Sequence, residues 1–248
     1  MNIIILKQEE LTEDGRVFLS DRRAKHIVSV LRGKPGQSVR IGILNGSIGT
    51  GVIEEITKTD IHLSCHFNDS PRPSASIDLI LAMPRPLVMK RLLAPLASLG
   101  IRRIFLTNAA KVERDYYGTH WLRTEHYEPL LIEGLEQTGD TRLPEVTIIR
   151  RLKPFVEDRM DELFPSGTRI LAHPSHEDDA HDIPSCTAPV VLALGPDGGW
   201  TPYETDMFDR NGFVRMSLGA RTLRTDVACI ALISVLKHLM NGNGSTRM

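Results

Sequence analysis

The chain has 248 residues, of which 41% are hydrophobic and 25% charged, and its formal net charge is -1. Such values exclude a disordered or collagen-like chain, and the length suffices for one large domain or two ordinary ones, each with a hydrophobic core. Cys65, Cys186 and Cys229 stand far apart with no CxxC pair, which argues against a zinc or redox motif and for a reducing, cytosolic setting. The apolar run in MNIIILKQEE is too short for a signal peptide, and no run approaches the ~20 residues of a membrane span, so no membrane partner is expected.

In chain order, NIIIL (2–6) and RVFLS (16–20) read as short strands, and RRAKHIVSVL (22–31) as a helix. SVRIGIL (38–44), IGTGVIEEI (48–56) and DIHLSCHF (60–67) are further strands. Close spacing and turns such as Asn45-Gly46 predict a small β-barrel over residues 1–70. The stretch NDSPRPS (68–74) breaks every pattern and reads as a linker to a second domain over 75–248. There the strands IDLILAM (77–83), IRRIFLT (101–107), VTIIR (146–150), RILAH (169–173), PVVLALG (189–195) and FVRMSL (213–218) alternate with helices. These helices are expected at 87–100, 121–139, near 154–164, from 202, and across 226–240. The alternation predicts an α/β domain with a mainly parallel sheet covered on both faces.

Charge is unevenly distributed. Arg16 to Arg40 holds seven Lys and Arg against Asp21, and Arg85 to Arg123 holds eight against Glu113 and Asp115, whereas Pro154 to Ile183 holds eight acids against Arg159 and Arg169. A polyanion partner would suit the basic stretches, as would plain solvated faces. HPSHEDDAH places His173, His176 and His181 at no standard zinc spacing and reads as an acidic loop, so no metal is expected.

The stretch VVLALGPDGGWTPYE runs from a buried strand through a glycine-rich bend into a helix start. It is neither G-x-G-x-x-G nor a P-loop, so a dinucleotide or phosphate cradle is not indicated. Ligands of open α/β sheets gather beyond the carboxyl ends of strands, and a tight turn with no ligand would read the same way. Thr201, Pro202 and Glu204 fit the N-cap, first position and capping-box position of a helix, which favours Glu204 as a cap over Glu204 as a base. A second strand end, FVRMSLGARTLRTDVA, carries Gly219, Arg221, Arg224 and Asp226. The two loops together could face an anionic ligand; alternatively Asp226 answers a helix macrodipole beside solvated arginines.

GPDGGWTPYE followed by FVRMSLGARTLRTDVA resembles the glycine-rich and knot-forming motifs of the SPOUT methyltransferases, and within them the RsmE family. AKHIVSVLRGKPGQSVRI, MKRLLAPLASLGIRRIFL and EGLEQTGDTRLPEV extend the resemblance over nearly the whole chain. It implies an N-terminal PUA-like barrel and a C-terminal α/β domain with a deep trefoil knot. It also implies a homodimer and S-adenosylmethionine-dependent methylation of N3 of a uridine in 16S ribosomal RNA. Cofactor contacts would come from Leu194, Gly195, Pro196, Gly198, Gly199, Leu218, Gly219 and Leu223. The chain departs from the family pattern at Asp197, where Glu is usual, at Thr225-Asp226-Val227-Ala228, and at Ser98, where an acid is lost.

N3 of uridine keeps its proton at neutral pH, so the site must help remove it or stabilise the anion left on the carbonyl oxygens. Arg224 and Arg221 are the candidates for that task, with Asp226 as orienter or base. On the barrel, Arg22, Arg23, Lys25 and Arg32 are the expected phosphate contacts. A methyltransferase acting on another base or a ribose 2′-oxygen, or a catalytically weak RNA-binding dimer, would carry much of the same pattern.

Overall fold

A computed structural model describes residues 2–71, 73, 76–174, 186–219 and 221–242. The chain divides into two compact units, one formed by Met1–Pro73 with Leu131–Leu143 and the other by Ser74–Leu130 with Pro144–Met248.

The first unit is a five-stranded sheet closed by one helix. Its strands are β1 (Ile4–Leu6), β2 (Arg16–Leu19), β3 (Ser38–Ile43), β4 (Ile48–Ile56) and β5 (Ile61–Asp69), in the order β1-β3-β4-β5-β2. β1 runs parallel to β3 and every other pairing is antiparallel. Two register shifts in the β4–β5 ladder bend the sheet, at Ile48/Gly49 and Ile53/Glu55. At the first, a Cβ on Gly49 would sit 1.9 Å from the His66 carbonyl oxygen, so only glycine fits. Helix α1 (Arg22–Ser29) starts at Asp21, whose carboxylate accepts the Arg23 amide at 2.8 Å, and buries Ala24 and Ile27. Those two side chains join Ile4, Leu6, Val17, Leu19, Ile41, Ile53, Ile61 and Leu63 in one core. The opposite face of β1 is buried as well, with Ile3, Ile5 and Ile48 against Ile132. A strand covered on both faces explains why IIIL (3–6) is apolar throughout instead of alternating.

The second unit is a six-stranded sheet, parallel throughout. It contains β6 (Ile77–Ala82), β7 (Arg103–Thr107), β8 (Glu145–Ile149), β9 (Thr168–Ala172), β10 (Val190–Leu194) and β11 (Phe213–Met216), ordered β11-β9-β10-β6-β7-β8. Its connecting helices are α2 (Pro86–Ser98), α4 (Leu152–Leu163) and α5 (Pro202–Arg210), with α6 (Thr225–Gly242) last. α3 (Thr124–Thr138) begins in this unit, and its C-terminal half is counted with the first. Every residue of the central strands β6 and β10 is buried, as the continuous apolar runs require. Asp78 is the exception in character: a fully buried carboxylate held by Arg102 and Arg103.

The predicted strand and helix limits hold with small shifts. β5 continues through Asn68 and Asp69, into the stretch read as linker. Two 3₁₀ turns, Arg114–Gly118 and His120–Leu122, occupy the region before α3, which starts at Thr124 and not at 121. Thr119 caps the second turn through its bond from the Trp121 amide, 3.4 Å, and Arg123 is extended, so the helical path is broken there. All three cysteines are free and buried, and burial pushes the Cys229 thiol up to about 12, which leaves it unreactive. Among the described residues no helix is long and apolar enough to cross a membrane.

Candidate functional site

β10 and β11 both deliver glycine-bearing loops to the carboxyl edge of the second sheet, and a cavity of about 360 Å³ opens between them. Leu194, Gly195, Pro196, Gly198, Gly199, Leu218, Gly219 and Leu223 all line it, joined by Ala172, Met216, Trp200 and Leu232. In the first loop the Gly199 amide closes a turn on the Pro196 carbonyl at 2.8 Å, with Gly199 at φ 68°. Trp200 is buried beneath it and packs on Phe208 at 4.9 Å. A Cβ on Gly195 would lie 3.2 Å from the Trp200 indole, so glycine lets the backbone settle onto that ring. In the second loop Gly219 has φ 107°, and its amide donates to Ser217 Oγ at 3.2 Å.

The two loops are tied together. Thr225 donates its hydroxyl proton to Asp197 Oδ1 at 2.7 Å, and Arg85 approaches Asp197 Oδ2 at 3.4 Å. Asp197 is thus occupied in joining the glycine loop to the start of α6, a task its short side chain reaches without strain. Lys111 donates to the Gly198 carbonyl at 2.6 Å, and the Ala110 amide donates to Glu204 Oε1 at 2.7 Å, anchoring the segment after β7 to the same loop. Glu204 is buried and completes the expected capping box: its Oε2 accepts the Thr201 amide at 2.8 Å, while Thr201 Oγ1 accepts the Glu204 amide at 3.3 Å.

Arg221 lines the cavity, whereas Arg224 and Asp226 do not. The Arg224 side chain is 68% exposed, and its nearest acid is Asp226 at 3.4 Å. Asp226, 18% exposed, also takes Arg91 at 3.2 Å, a partner the sequence did not reveal because α2 lies more than a hundred residues upstream. The density of basic residues between Arg85 and Arg123 was the only hint of Arg85, Arg91 and Lys111.

Of the four barrel residues expected to meet phosphate, two are engaged within the first unit. Arg22 forms a two-pronged pair with Glu136 at 2.8 Å for each bond, neutralising a carboxylate that is 2% exposed. Arg23 is only 12% exposed and spans Glu10, Asp21 and the Ile5 carbonyl, so the expectation that it reaches RNA does not fit its surroundings. Buried and held by three partners, it braces the barrel. Lys25 and Arg32 are exposed, and neither has an ion pair among the described residues. No group of three or more His, Cys, Asp or Glu is placed for a metal among the described residues; His176 and His181 lie outside them.

Residues 70–237 match the family model described as "RNA methyltransferase domain", and residues 19–64 the one described as "RNA methyltransferase PUA domain". The chain is 30% identical over 250 residues to the "Ribosomal RNA small subunit methyltransferase E" of Treponema pallidum, covering 95% of this chain and 90% of that protein. It is 28% identical over 231 residues to the "Ribosomal RNA small subunit methyltransferase E 1" of Borreliella burgdorferi, covering 93% and 95%. A ribosomal RNA small subunit methyltransferase E from Neisseria gonorrhoeae, solved bound to S-adenosyl methionine, superposes with a TM-score of 0.75 at 24% identity, over 96% of this chain and 98% of that one. The fold is therefore of the SPOUT type, with a mainly parallel C-terminal sheet and an N-terminal PUA-like barrel. The chain belongs to the RNA methyltransferase family that includes ribosomal RNA small subunit methyltransferase E.

Proposed function

We propose that the chain transfers a methyl group from S-adenosylmethionine to N3 of a uridine in 16S ribosomal RNA of the small subunit, acting in the cytoplasm as a homodimer. The observation that carries this reading is the cavity between the two glycine loops. It has apolar walls, backbone polar edges and no phosphate cradle, which suits an adenosine bearing a sulfonium and not a nucleotide polyphosphate. Trp200 adds a buried Nε1 donor with no partner among the described residues. The names of the relatives, and the ligand of the Neisseria structure, point the same way. A trefoil knot fits the strand order, in which β10 lies between β6 and β9 while the chain continues to β11 at the edge.

When bound, S-adenosylmethionine supplies an electrophilic methyl group, and the protein has to position and activate the acceptor. Leu194, Gly195, Pro196, Gly198, Gly199, Leu218, Gly219 and Leu223 would hold the cofactor. Arg221, on the cavity wall, and Arg224, beside it in sequence, would receive the negative charge on the uracil oxygens as N3 loses its proton. Asp226 would orient Arg224. Residues 1–70 form the RNA-binding domain and 75–248 the transfer domain in this reading.

Isothermal calorimetry should show S-adenosylmethionine binding and no binding of NAD or ATP. Heat from ATP or NAD alone would reject the assignment of the cavity. Ribosomes from cells lacking the protein should lose one N3-methyluridine in 16S RNA; loss of a different modification would reassign the acceptor. On the barrel, Lys25→Ala with Arg32→Ala should weaken RNA binding and reduce the dependence of log affinity on log salt by about 0.7–0.9 for each phosphate no longer neutralised. Cofactor affinity should not move. An unchanged salt slope would place the RNA elsewhere.

A further inference from the structure

Outside the cavity, the second unit carries an aromatic and cationic cluster with no part in the chemistry above. It is built on the 3₁₀ turn His120–Leu122 and the first turn of α3. The rings of His120 and Trp121 lie 4.7 Å apart, and those of His120 and His126 4.9 Å apart, edge to face. Lys90 of α2 places its ammonium 5.1 Å from the centre of the Trp121 ring. His120 and Lys90 are exposed, and Trp121 and His126 half-buried, so the cluster is open to solvent and not part of the core. Lys90, Arg114 and Arg123 have no ion pair among the described residues, and the nearby Glu113 is engaged by the Tyr116 hydroxyl at 3.0 Å. A half-buried indole beside exposed cations offers aromatic surface and positive charge together, the combination that holds single-stranded nucleic acid.

We propose that Trp121 is a stacking surface for an unpaired base next to the methylated nucleotide, with Lys90, Arg114 and Arg123 facing the adjoining phosphates. The proposal rests on the RNA methyltransferase reading above. The acceptor base must leave its stack to enter the cavity, which deprives its neighbours of a stacking partner that the protein can replace. The segment bearing Trp121 is suited to this, because its start is pinned to the glycine loop through Lys111 to Gly198 and Ala110 to Glu204. RNA presents a phosphate beside every base, which matches an indole flanked by cations, so RNA is the occupant proposed.

The test compares Trp121→Ala and Trp121→Phe for affinity toward an oligouridylate and toward transcribed 16S RNA, and for S-adenosylmethionine binding by calorimetry. Trp121→Ala should weaken both RNA affinities roughly ten- to hundredfold, the effect of losing one stacked base. Trp121→Phe should recover most of this, and cofactor affinity should be unchanged in both. KM for RNA should rise while kcat moves little. In a Trp200→Phe background the remaining indole is Trp121, and RNA should quench its fluorescence. Parental RNA affinity in Trp121→Ala would overturn the stacking role while leaving the methyltransferase reading intact; failure of the parent to bind RNA at all would overturn both. Equal loss in the Ala and Phe variants, or loss of cofactor binding alongside, would make Trp121 a folding residue. Weakened binding to assembled small subunits but not to naked RNA would make a ribosomal protein the occupant and overturn the proposal.

Discussion

Replacing Arg102 and Arg103 together by alanine should destabilise the chain by about 3–5 kcal/mol at neutral pH, the usual result of stranding a buried charge. Asp78, fully buried in β6, accepts from Arg102 Nε at 3.0 Å and from Arg103 Nη2 at 2.7 Å, with a further bond from Arg102 Nη2. Burial alone would raise its carboxyl, but the two guanidiniums outweigh burial and hold it below the ordinary 3.8. In the parent, therefore, the stability supplied by this cluster is complete above about pH 4 and is lost as pH falls through the depressed value. In the double variant only burial remains, the carboxyl shifts above its ordinary value, and the sign reverses: stability should increase as pH is lowered from neutral toward 4. Arg103 also stacks over Phe164 at 4.8 Å, so part of the loss is packing. Asp78→Asn separates the contributions, since it removes the buried charge and should abolish the pH dependence in that range. Urea melts at a series of pH values decide it; a double variant whose stability follows the parent's pH profile would sink the account. Asp78 lies near the amino end of its strand, away from the cavity, so cofactor affinity in the folded variant should be unchanged.

The sequence exposed those parts of the molecule governed by local rules. Strand periodicity, the capping box at Thr201 and Glu204, and the glycines at two strand ends depend on neighbours within a few residues, and each lies where the pattern placed it. Pairings across the chain were hidden. Arg22 and Arg23 read as a basic patch because Glu136 lies 114 positions from Arg22 and because nothing local marks Arg23 as turning inward. The partners of Asp78 were hidden too, since Arg102 and Arg103 arrive at the start of the neighbouring strand. Trp121 was read as the start of a helix; the extended Arg123 instead ends the turn and sets the indole beside α2. Charge counted along a sequence thus overstates what is free to meet a polyanion, because buried carboxylates consume arginines that composition treats as surface.

Arg224→Ala should lower methyl transfer by ~10²–10³ at saturating RNA and cofactor, the typical value of one donor placed where charge develops. Arg224 stands 68% exposed, outside the cavity lining, with its single weak acid contact at 3.4 Å. A guanidinium so lightly held in the free protein can swing onto a uracil oxygen once RNA closes over the site. In the proposed role its interaction with the base would strengthen as N3 loses its proton, so the loss should fall on kcat far more than on either affinity. Lysine should rescue only in part, because a point charge cannot reproduce the planar two-pronged donor. Asp226→Asn should have a smaller effect, since the role proposed for Asp226 is positioning and it shares its carboxylate with Arg91 at 3.2 Å. Arg221 is the control, because it already lines the cavity. If single-turnover rates of Arg224→Ala stay within about threefold of the parent while Arg221→Ala falls a hundredfold, the anion is met from the cavity wall, and Arg224 serves RNA binding alone.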